Sequence, residues 1–334
     1  MKREASTVYL ALIMAAIIVL AGGPINTAFA SSSYTFTRLD IKGALSSAAV
    51  AVNDHNQVVG YYYDIVAKTN AYVYSNGKFT GINVDCHTTM PVAINIHGDV
   101  GGYYLCDSKY RGFLYSSGTF QSIDFPHATR TQVSSINEHG NLIGWYYDKS
   151  GKSHSFFFLK QTGAYKIITV PGAIATAASE INNHGEIAGS YTDSANRSHG
   201  FLLDSKGKFQ TIDFPHAQST ELRGLNDNGQ VIGQYRWNAS SSGSHCFLYS
   251  NGHFKSIGVS LDDFVCSSIN NHGDILGHYS TGDPLQHFIY ASGKLSALDF
   301  KADVTGLNDQ GSLVGIHYDG HLYSGFLATR NDKS

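Results

Sequence analysis

Charge is scarce in this 334-residue chain, and neither sign predominates. Charged residues make up 15% of the sequence, against about a quarter in an average soluble domain, and 23 basic residues face 26 acidic ones. A chain with this balance has no basic field that would attract nucleic acid or anionic lipid. We therefore expect neither partner. The 21 Tyr and 18 Phe instead favour half-buried β-strands.

Several catalytic and metal-binding motifs are missing as well. The sequence contains no Gly-x-Ser-x-Gly elbow, no Cys-x-x-Cys pair and no phosphate-binding glycine loop. The WD and kelch signatures of two repeat classes are also missing. We accordingly predict no catalytic residue from motif, no cofactor and no metal site.

Long apolar runs are confined to the beginning of the chain. Lys2 and Arg3 precede an apolar run over residues 8–21, and residues 28–30 read Ala-Phe-Ala, a small-x-small cleavage site. A Gly-Gly-Pro sequence ends the run before it reaches the length of a membrane anchor. We predict a signal peptide over residues 1–30 and a secreted chain, extracellular or periplasmic, that is not inserted in a membrane after cleavage.

A motif centred on Asn recurs seven times after this segment, at spacings of 38 to 45 residues. The residues before and five after the Asn are aliphatic in every unit, and Gly stands seven after it without exception. The seven residues are Asn53, Asn95, Asn137, Asn182, Asn226, Asn270 and Asn308. A period of this size indicates that the structural unit is a repeat.

Each repeat predicts a four-stranded antiparallel meander. The Asn opens a tight turn between two strands, a polar loop leads to an alternating aromatic strand, and a short Gly-bearing turn leads to the fourth. The invariant Gly indicates a packing contact between sheets. No stretch has helical periodicity.

The two ends of the mature chain complement each other. The seventh unit stops after its third strand, whereas residues 34–41 resemble the fourth strand of other units. Pairing the first strand with the last would close a ring and hide the sheet edges. We predict an all-β fold with one domain over residues 31–334: a monomeric seven-bladed β-propeller of four-stranded antiparallel blades, closed by the N-terminal strand, which completes the last blade.

The repeat resembles a known bacterial family. Residues 123–128, Ile-Asp-Phe-Pro-His-Ala, lead to Ile136-Asn137, and the unit over residues 181–193 leads to His199-Gly200-Phe201. These motifs are similar to those of the HAF-repeat family of bacterial extracellular proteins, over the whole mature chain. The resemblance implies secretion and a propeller-like repeat, but no established activity. Asn56 departs from the pattern by replacing the turn Gly.

The four cysteines suggest disulfide bonds in an exported protein, although three pairings are formally possible. Cys86 and Cys106 would lie on the same face of the second blade. Cys246 and Cys266 would lie near that face in adjacent blades. We predict these two pairs, each worth about 3 kcal/mol.

Histidine and aspartate recur at two places. Five of the Asn turns carry a His, at His55, His97, His139, His184 and His272, which we interpret as a polar turn residue. The loop after the second strand begins with Asp in five units and ends with His in three. Such a pair could bind a cation or perform acid–base chemistry. We favour a structural role, with an Asx turn and the His packed on the next aromatic residue.

Residues that break the repeat are better candidates for a binding site. Glu180 and Arg223 lie on innermost strands beside the predicted channel, and Trp237 opens the longest loop, where an exposed aromatic ring would suit sugar stacking. The alternative is a solvated channel lining or a packed blade edge. The full set of ligand-binding candidates is Glu180, Arg223, Arg111, Arg130, Trp237, Asp262 and Asp263.

Three functions fit these observations. The leading hypothesis is a secreted, non-enzymatic β-propeller that binds extracellular carbohydrate or protein on the face with the longer loops. The alternative is a glycan-active hydrolase or lyase at the channel mouth, with Glu180 and a neighbouring His or Asp as acid and base. The short, regular loops of this chain argue against the enzyme alternative. A calcium-binding propeller that uses the Asp-bearing loops is a weaker alternative.

Overall fold

The computed structural model describes residues 33–82, 84–237, 243–258, 263–280 and 285–331. None of these residues is helical, so this part of the chain offers no helix that could cross a membrane. The signal peptide predicted over residues 1–30 lies outside the described residues. Twenty-eight β-strands follow one another within these ranges.

The strands form six sheets, each a meander or a pair of meanders. The first sheet contains β2 (Ser46–Val52), β3 (Val58–Tyr63), β4 (Thr69–Ser75), β5 (Lys78–Ile82), β6 (Thr88–Ile94), β7 (Val100–Cys106), β8 (Lys109–Ser116) and β9 (Thr119–Ile123). The second contains β10 (Arg130–Ile136), β11 (Leu142–Tyr147), β12 (Ser153–Leu159) and β13 (Ala164–Ile168). The third contains β14 (Ala175–Ile181), β15 (Ile187–Thr192), β16 (Ser198–Leu203) and β17 (Phe209–Ile212).

The remaining three sheets have four strands each. The fourth contains β18 (Ser219–Leu225), β19 (Val231–Arg236), β20 (His245–Ser250) and β21 (His253–Ile257). The fifth contains β22 (Phe264–Ile269), β23 (Ile275–Tyr279), β24 (Gln286–Ala291) and β25 (Lys294–Ala297). The sixth contains β26 (Asp303–Leu307), β27 (Leu313–Tyr318), β28 (Tyr323–Arg330) and β1 (Tyr34–Leu39). The sheets stand around a common axis as the blades of a β-propeller.

The sheet count differs from the prediction of seven separate four-stranded blades. Five sheets have four strands, whereas the first has eight, because β2–β5 and β6–β9 are joined by one parallel pair, Thr69 with Thr88. The connection into β6 runs beside the start of β4, where the Thr69 amide donates to the His87 carbonyl at 3.4 Å. One contact between neighbouring meanders therefore merges two units into a single sheet.

The N-terminal strand closes the last sheet. β1 pairs antiparallel with β28 along its whole length, from Tyr34 opposite Arg330 to Leu39 opposite Gly325. Leu39 is fully buried in a cluster with residues of β2, β3, β4, β27 and β28. The predicted pairing of the first and last strands is confirmed.

The seven recurring Asn side chains form a closed ring around the axis. Each Nδ2 donates to the backbone carbonyl of the next recurring Asn at 2.8 to 3.2 Å, and the last link runs from Asn308 to Asn53. Each Oδ1 accepts from the backbone amide four residues later. All seven are buried. The recurring Asn therefore joins the repeats to one another.

The invariant Gly makes its close contact within a sheet, so the predicted contact between sheets is wrong. A Cβ placed on Gly144 would collide with the Gln132 carbonyl and lie 2.9 Å from the Phe156 ring. Gln132 lies on the inner strand beside Val133, the residue that pairs with Gly144, and Phe156 pairs with Gly144 from the third strand. The glycine therefore leaves room for the buried aromatic ring of its own sheet.

Candidate functional site

The ring encloses a channel with two different ends. The turn end carries the seven Asn turns, and the loop end carries the loops that join the second and third strands of each unit. The inner strands β2, β6, β10, β14, β18, β22 and β26 run between the two ends. Each inner strand has a β-bulge near its middle.

A polar cavity of about 230 Å³ lies at the turn end. It is lined by six of the seven recurring Asn residues, all but Asn95, and by the residue after each recurring Asn: Asp54, Ile96, Glu138, Asn183, Asp227, Asn271 and Asp309. Six backbone amides of this second ring donate to the side-chain oxygen of the next member, as Ile96 does to Glu138 at 2.8 Å. The second ring is interrupted where Ile96 offers no acceptor to Asp54.

The carboxyl groups at the turn end serve these backbone links. Burial raises the pKa of Glu138, and the charges of Asp54 and Asp227 raise it further. Burial also raises the pKa of Asp54, with a further contribution from Asp309. Within the described residues, no group of His, Cys, Asp and Glu side chains is arranged to hold a metal ion. We interpret the second ring as part of the closure.

Glu180 is the one large side chain at its level of the channel wall. The equivalent positions, two residues before the recurring Asn, carry only Ala51, Ala93, Ser135, Gly224, Ser268 and Gly306. The Ser135 hydroxyl and, at 3.3 Å, the Ile181 amide donate to Glu180 Oε1. Burial raises the pKa of Glu180 to about 7. Among the described residues, no His or second carboxyl group forms a hydrogen bond with it, so the predicted acid–base pair is not assembled there.

The loop end concentrates exposed apolar side chains. Of the eleven exposed large hydrophobic residues in the described ranges, Ile167 lies on the outer strand β13. The other ten lie in or beside the connections at the loop end: Leu45, Tyr63, Ile65, Val66, Ile174, Trp237, Leu285, Tyr318, Leu322 and Tyr323. Exposed apolar groups gathered on one face are typical of a binding surface.

Arg130 lies between two aromatic rings at this end. Its guanidinium carbon is 4.3 Å from the centroid of Tyr110 and 4.8 Å from that of Trp145. Its Nε is buried and, in the described part of the chain, has no hydrogen-bond partner. Gln132 lies two residues further along β10, is 2% exposed, and its Nε2 also lacks a partner there. We call Tyr110, Arg130, Gln132 and Trp145 the arginine cleft.

The other two candidate arginines each lie beside a carboxylate, and Arg111 shares its carboxylate with Lys109. Arg111 donates to the Cys106 carbonyl at 3.0 Å and lies 3.6 Å from Asp124. Arg223 stands in the bulge of β18 and pairs with Glu221 at 3.1 Å. Both side chains are therefore already engaged within the fold.

The remaining candidates lie near the incompletely described loops. Trp237 is 46% exposed and its ring packs edge-on against Tyr235 at 5.0 Å. Asp263 precedes β22 with a left-handed backbone, φ 64°. Asp262 lies outside the described residues.

The Asp residues of the Asp- and His-bearing loops form the predicted Asx turns, but the His side chains stack on the Tyr of the preceding strand and not on the next aromatic residue. Asp148 Oδ1 accepts from the Ser150 and Lys152 amides, and its Oδ2 lies 2.9 Å from His154 Nε2. His154 stacks on Tyr146 at 5.1 Å. Hydrogen bonds, first from the Ser150 hydroxyl and then from His154, hold the pKa of Asp148 well below its usual range.

Both predicted disulfide bonds are present. Cys86 bonds to Cys106 and Cys246 to Cys266, with Cα atoms 5.1 and 5.6 Å apart. The first joins the connection into β6 to the end of β7, and the second joins β20 to β22 of the next sheet. Each lies towards the loop end, where it constrains the surface beside the channel.

Solved β-propellers are similar to this chain. Virginiamycin B lyase from Staphylococcus aureus aligns with a TM-score of 0.60 and 11% identity, over 89% of this chain and 99% of that one. The β-propeller domain of the Trilobed protease from Pyrococcus furiosus aligns with a TM-score of 0.65 and 10% identity, over 87% and 96%. The fold is an all-β β-propeller. Identities this low show the fold alone.

A third β-propeller comparison covers only part of its partner. The acylaminoacyl peptidase from Pyrococcus horikoshii aligns with a TM-score of 0.62 and 10% identity, over 86% of this chain and 52% of that chain. No protein-family model and no curated protein sequence matches the chain. Its resemblance to the HAF-repeat family therefore stays a prediction.

Sequence reasoning missed three of the four residues of the arginine cleft. Arg130 was a candidate, whereas Tyr110, Gln132 and Trp145 were not. The sequence does mark Trp145 as a residue that breaks the repeat. It lies eight residues after Asn137, and the equivalent position in the next unit holds Ser190. Positions on the second strand that vary between units are therefore a sequence signal for a binding site at the loop end.

Proposed function

We propose that this protein is a secreted, non-enzymatic β-propeller that binds carbohydrate at its loop end. The observation that carries the proposal is the arginine cleft, where a cation without a carboxylate partner in the described residues lies between Tyr110 and Trp145. Aromatic rings with polar neighbours combine a large apolar face with hydrogen-bonding groups. A sugar ring is complementary to such a surface, because it has an apolar face and hydroxyl groups at its edge.

The scaffold that we propose has seven blades in one domain over residues 31–334. Seven links close the Asn ring. The eight-stranded sheet is held at its junction by one residue pair, so it counts as two blades. Secretion is supported by the predicted signal peptide and by two disulfide bonds, which persist in oxidising compartments. We also propose membership of the HAF-repeat family.

Carbohydrate is favoured over a protein partner by the form of the surface. The four exposed aromatic rings at the loop end of the described chain come from three units, with Tyr63 on β3, Trp237 after β19, and the neighbouring Tyr318 and Tyr323 on β27 and β28. Rings spaced around a rim can each stack on one sugar, whereas a protein interface usually has a continuous apolar centre.

Retention of the mature chain on immobilised polysaccharides tests this proposal. Trp145→Ala should weaken binding at least tenfold, because it removes a ring of the cleft. Ile167→Ala removes an exposed apolar side chain from the outer strand β13, 54% exposed, and should leave binding unchanged. Equal binding by the two variants, or no retention on any of a broad panel of plant, bacterial and animal polysaccharides, would contradict the proposal.

A second candidate function, a glycan-active hydrolase or lyase, is favoured by Glu180. A carboxyl group whose pKa is about 7 beside a polar cavity suits general acid–base catalysis. Hydrolysis of glycosides normally needs a second carboxyl group nearby, and none is bonded to Glu180 in the described ranges. Release of reducing sugars from a glycan library, abolished by Glu180→Gln, would establish this function in place of simple binding.

The calcium alternative has less support. In the Asp-bearing loops one carboxylate oxygen already accepts two backbone amides, as at Asp64, Asp148 and Asp193. These oxygens serve the turn.

A further inference from the structure

We infer that the arginine cleft binds the anionic group of an acidic saccharide, a carboxylate or a sulfate. This inference rests on the proposed carbohydrate binding and specifies its ligand. Arg130 lies over two aromatic rings, and these contacts use none of its N–H donors.

Arg130 differs from the other described arginines because its Nε is buried without a hydrogen-bond partner, whereas Arg236 and Arg330 also lack a carboxylate within 4 Å but have no such buried nitrogen. Among the described residues, Arg38, Arg111, Arg197 and Arg223 each lie within 4 Å of a carboxylate. No such pair is formed by Arg130 in this part of the chain, although Nε of its side chain is buried. A partly desolvated guanidinium without a counter-ion is a strong site for an anion, because its fork of donors matches a planar or tetrahedral oxyanion.

Gln132 provides a second, independent observation. Its side chain is 2% exposed, and its Nε2 has no hydrogen-bond partner among the described residues. A buried amide donor without a partner has lost its hydrogen bond to water and gained none in return, which favours a ligand that supplies an acceptor. Gln132 pairs with Trp145 across the strands and lies on the same sheet face as Arg130. Two donors with unused capacity therefore stand beside the same ring.

The surroundings of the cleft favour a sugar as the carrier of the anion. Tyr103 is buried with a pKa raised to about 12, first by burial and then by Tyr110, so it remains a neutral hydroxyl. Its ring lies 6.0 Å from that of Tyr110. Uncharged aromatic rings around one cation suit a ring-shaped ligand that carries a single negative group. The N–H donors of Arg130 and Gln132 would bind that group.

Three oligosaccharides of equal length distinguish recognition of carboxylate from recognition of sulfate. They are an oligogalacturonate, the same oligosaccharide with its carboxyl groups reduced to alcohols, and the sulfated derivative of that reduced form. We expect the mature wild-type chain to bind at least one anionic form at least tenfold more tightly than the reduced form in calorimetric titrations. Tighter binding of the sulfated form would identify sulfate as the group recognised, and tighter binding of the oligogalacturonate would identify carboxylate.

Variants test the role of the guanidinium group. Arg130→Gln should reduce affinity for the anionic form to that for the reduced form, and Arg130→Lys should retain only part of the preference, because a lysine cannot form the bidentate contact. The matched control is Lys255→Gln, which removes a cation 5.2 Å from the Tyr290 ring on outer strands. It should leave the preference intact.

The outcomes distinguish this inference from the proposed function. Equal wild-type affinity for the anionic and reduced forms would overturn the inference while carbohydrate binding stands. A preference that survives in Arg130→Gln would overturn the role of Arg130. The wild-type comparison requires no variant, so it decides the question even if Arg130→Gln fails to fold. Failure to bind any of the three forms, with retention on neutral polysaccharides, would also overturn the inference.

Discussion

Removing one link of the Asn ring should strongly destabilise the fold. Asn137 is 2% exposed and makes three side-chain hydrogen bonds, each 3.1 Å long. Its Oδ1 accepts from the His139 and Asn141 amides, and its Nδ2 donates to the Asn182 carbonyl of the next unit. Asn137→Ala would leave all three backbone groups without this partner.

The expected cost follows from the number of groups left unpaired. A net hydrogen bond contributes about 1 kcal/mol, and a buried partner left unsatisfied costs about 1 to 3 kcal/mol. For three partners at a site that shields them unequally from water, we expect Asn137→Ala to lower the free energy of unfolding by about 3 to 5 kcal/mol. This is a large fraction of the stability of a typical domain.

Urea denaturation followed by circular dichroism measures this cost. The control is His139→Ala, which changes an exposed side chain in the same turn. It should change the free energy of unfolding by less than about 0.5 kcal/mol. Asn137→Asp keeps the acceptor oxygen but replaces the donor that faces the Asn182 carbonyl, so it should also be destabilised at neutral pH. A cost below about 1 kcal/mol for Asn137→Ala would refute the view that this ring holds the repeats together.

Three further predictions follow from the closure, a disulfide bond and Glu180. Deleting Tyr34–Leu39 removes the strand that pairs with β28 and should abolish cooperative thermal unfolding, whereas a normal sharp transition would show that closure is dispensable. Cys86→Ser with Cys106→Ser should cost about 3 kcal/mol in urea denaturation, and an unchanged midpoint would contradict this. Because the pKa of Glu180 is raised from 4.5 to about 7, the folded chain binds this proton more tightly than the unfolded chain, and stability should fall as pH rises through that range. Glu180→Gln should remove this fall of roughly 3 kcal/mol, and an unchanged pH dependence between about pH 5 and pH 8 would disprove it.

The repeat made the fold predictable. A pattern read seven times averages out the ambiguity of any one short apolar run, so strand order, the pairing of β1 with β28 and both disulfide pairs could be predicted from sequence. The contact between Thr69 and Thr88 could not, because it depends on how closely two neighbouring meanders approach. The prediction of what the invariant Gly contacts was wrong for a similar reason. The absence of a side chain does not indicate which neighbouring group fills the space.

The candidate site was predicted less completely, because its properties depend on pairing between distant residues. Arg111, Arg130 and Arg223 all break the repeat, and the sequence gives no reason to separate them. In the folded chain two of them meet carboxylates, at Asp124 and Glu221, while Arg130 meets aromatic rings. Glu180 was located beside the channel correctly, but its raised pKa comes from burial that sequence alone does not reveal.

The distribution of aromatic residues argues that a ligand lies away from the propeller axis. Eight residues after the recurring Asn, three consecutive units carry Tyr61, Tyr103 and Trp145, whereas the next carries Ser190 and another carries Gln234. At the turn end, by contrast, the two rings of side chains form hydrogen bonds mainly with backbone groups of their own and neighbouring turns. A ligand inserted there would have to compete with the closure, because these acceptors already serve backbone amides. A saccharide bound beside Trp145 would instead meet an asymmetric surface and the unpaired donors of Arg130, so the symmetric part of the repeat supports the site without forming it.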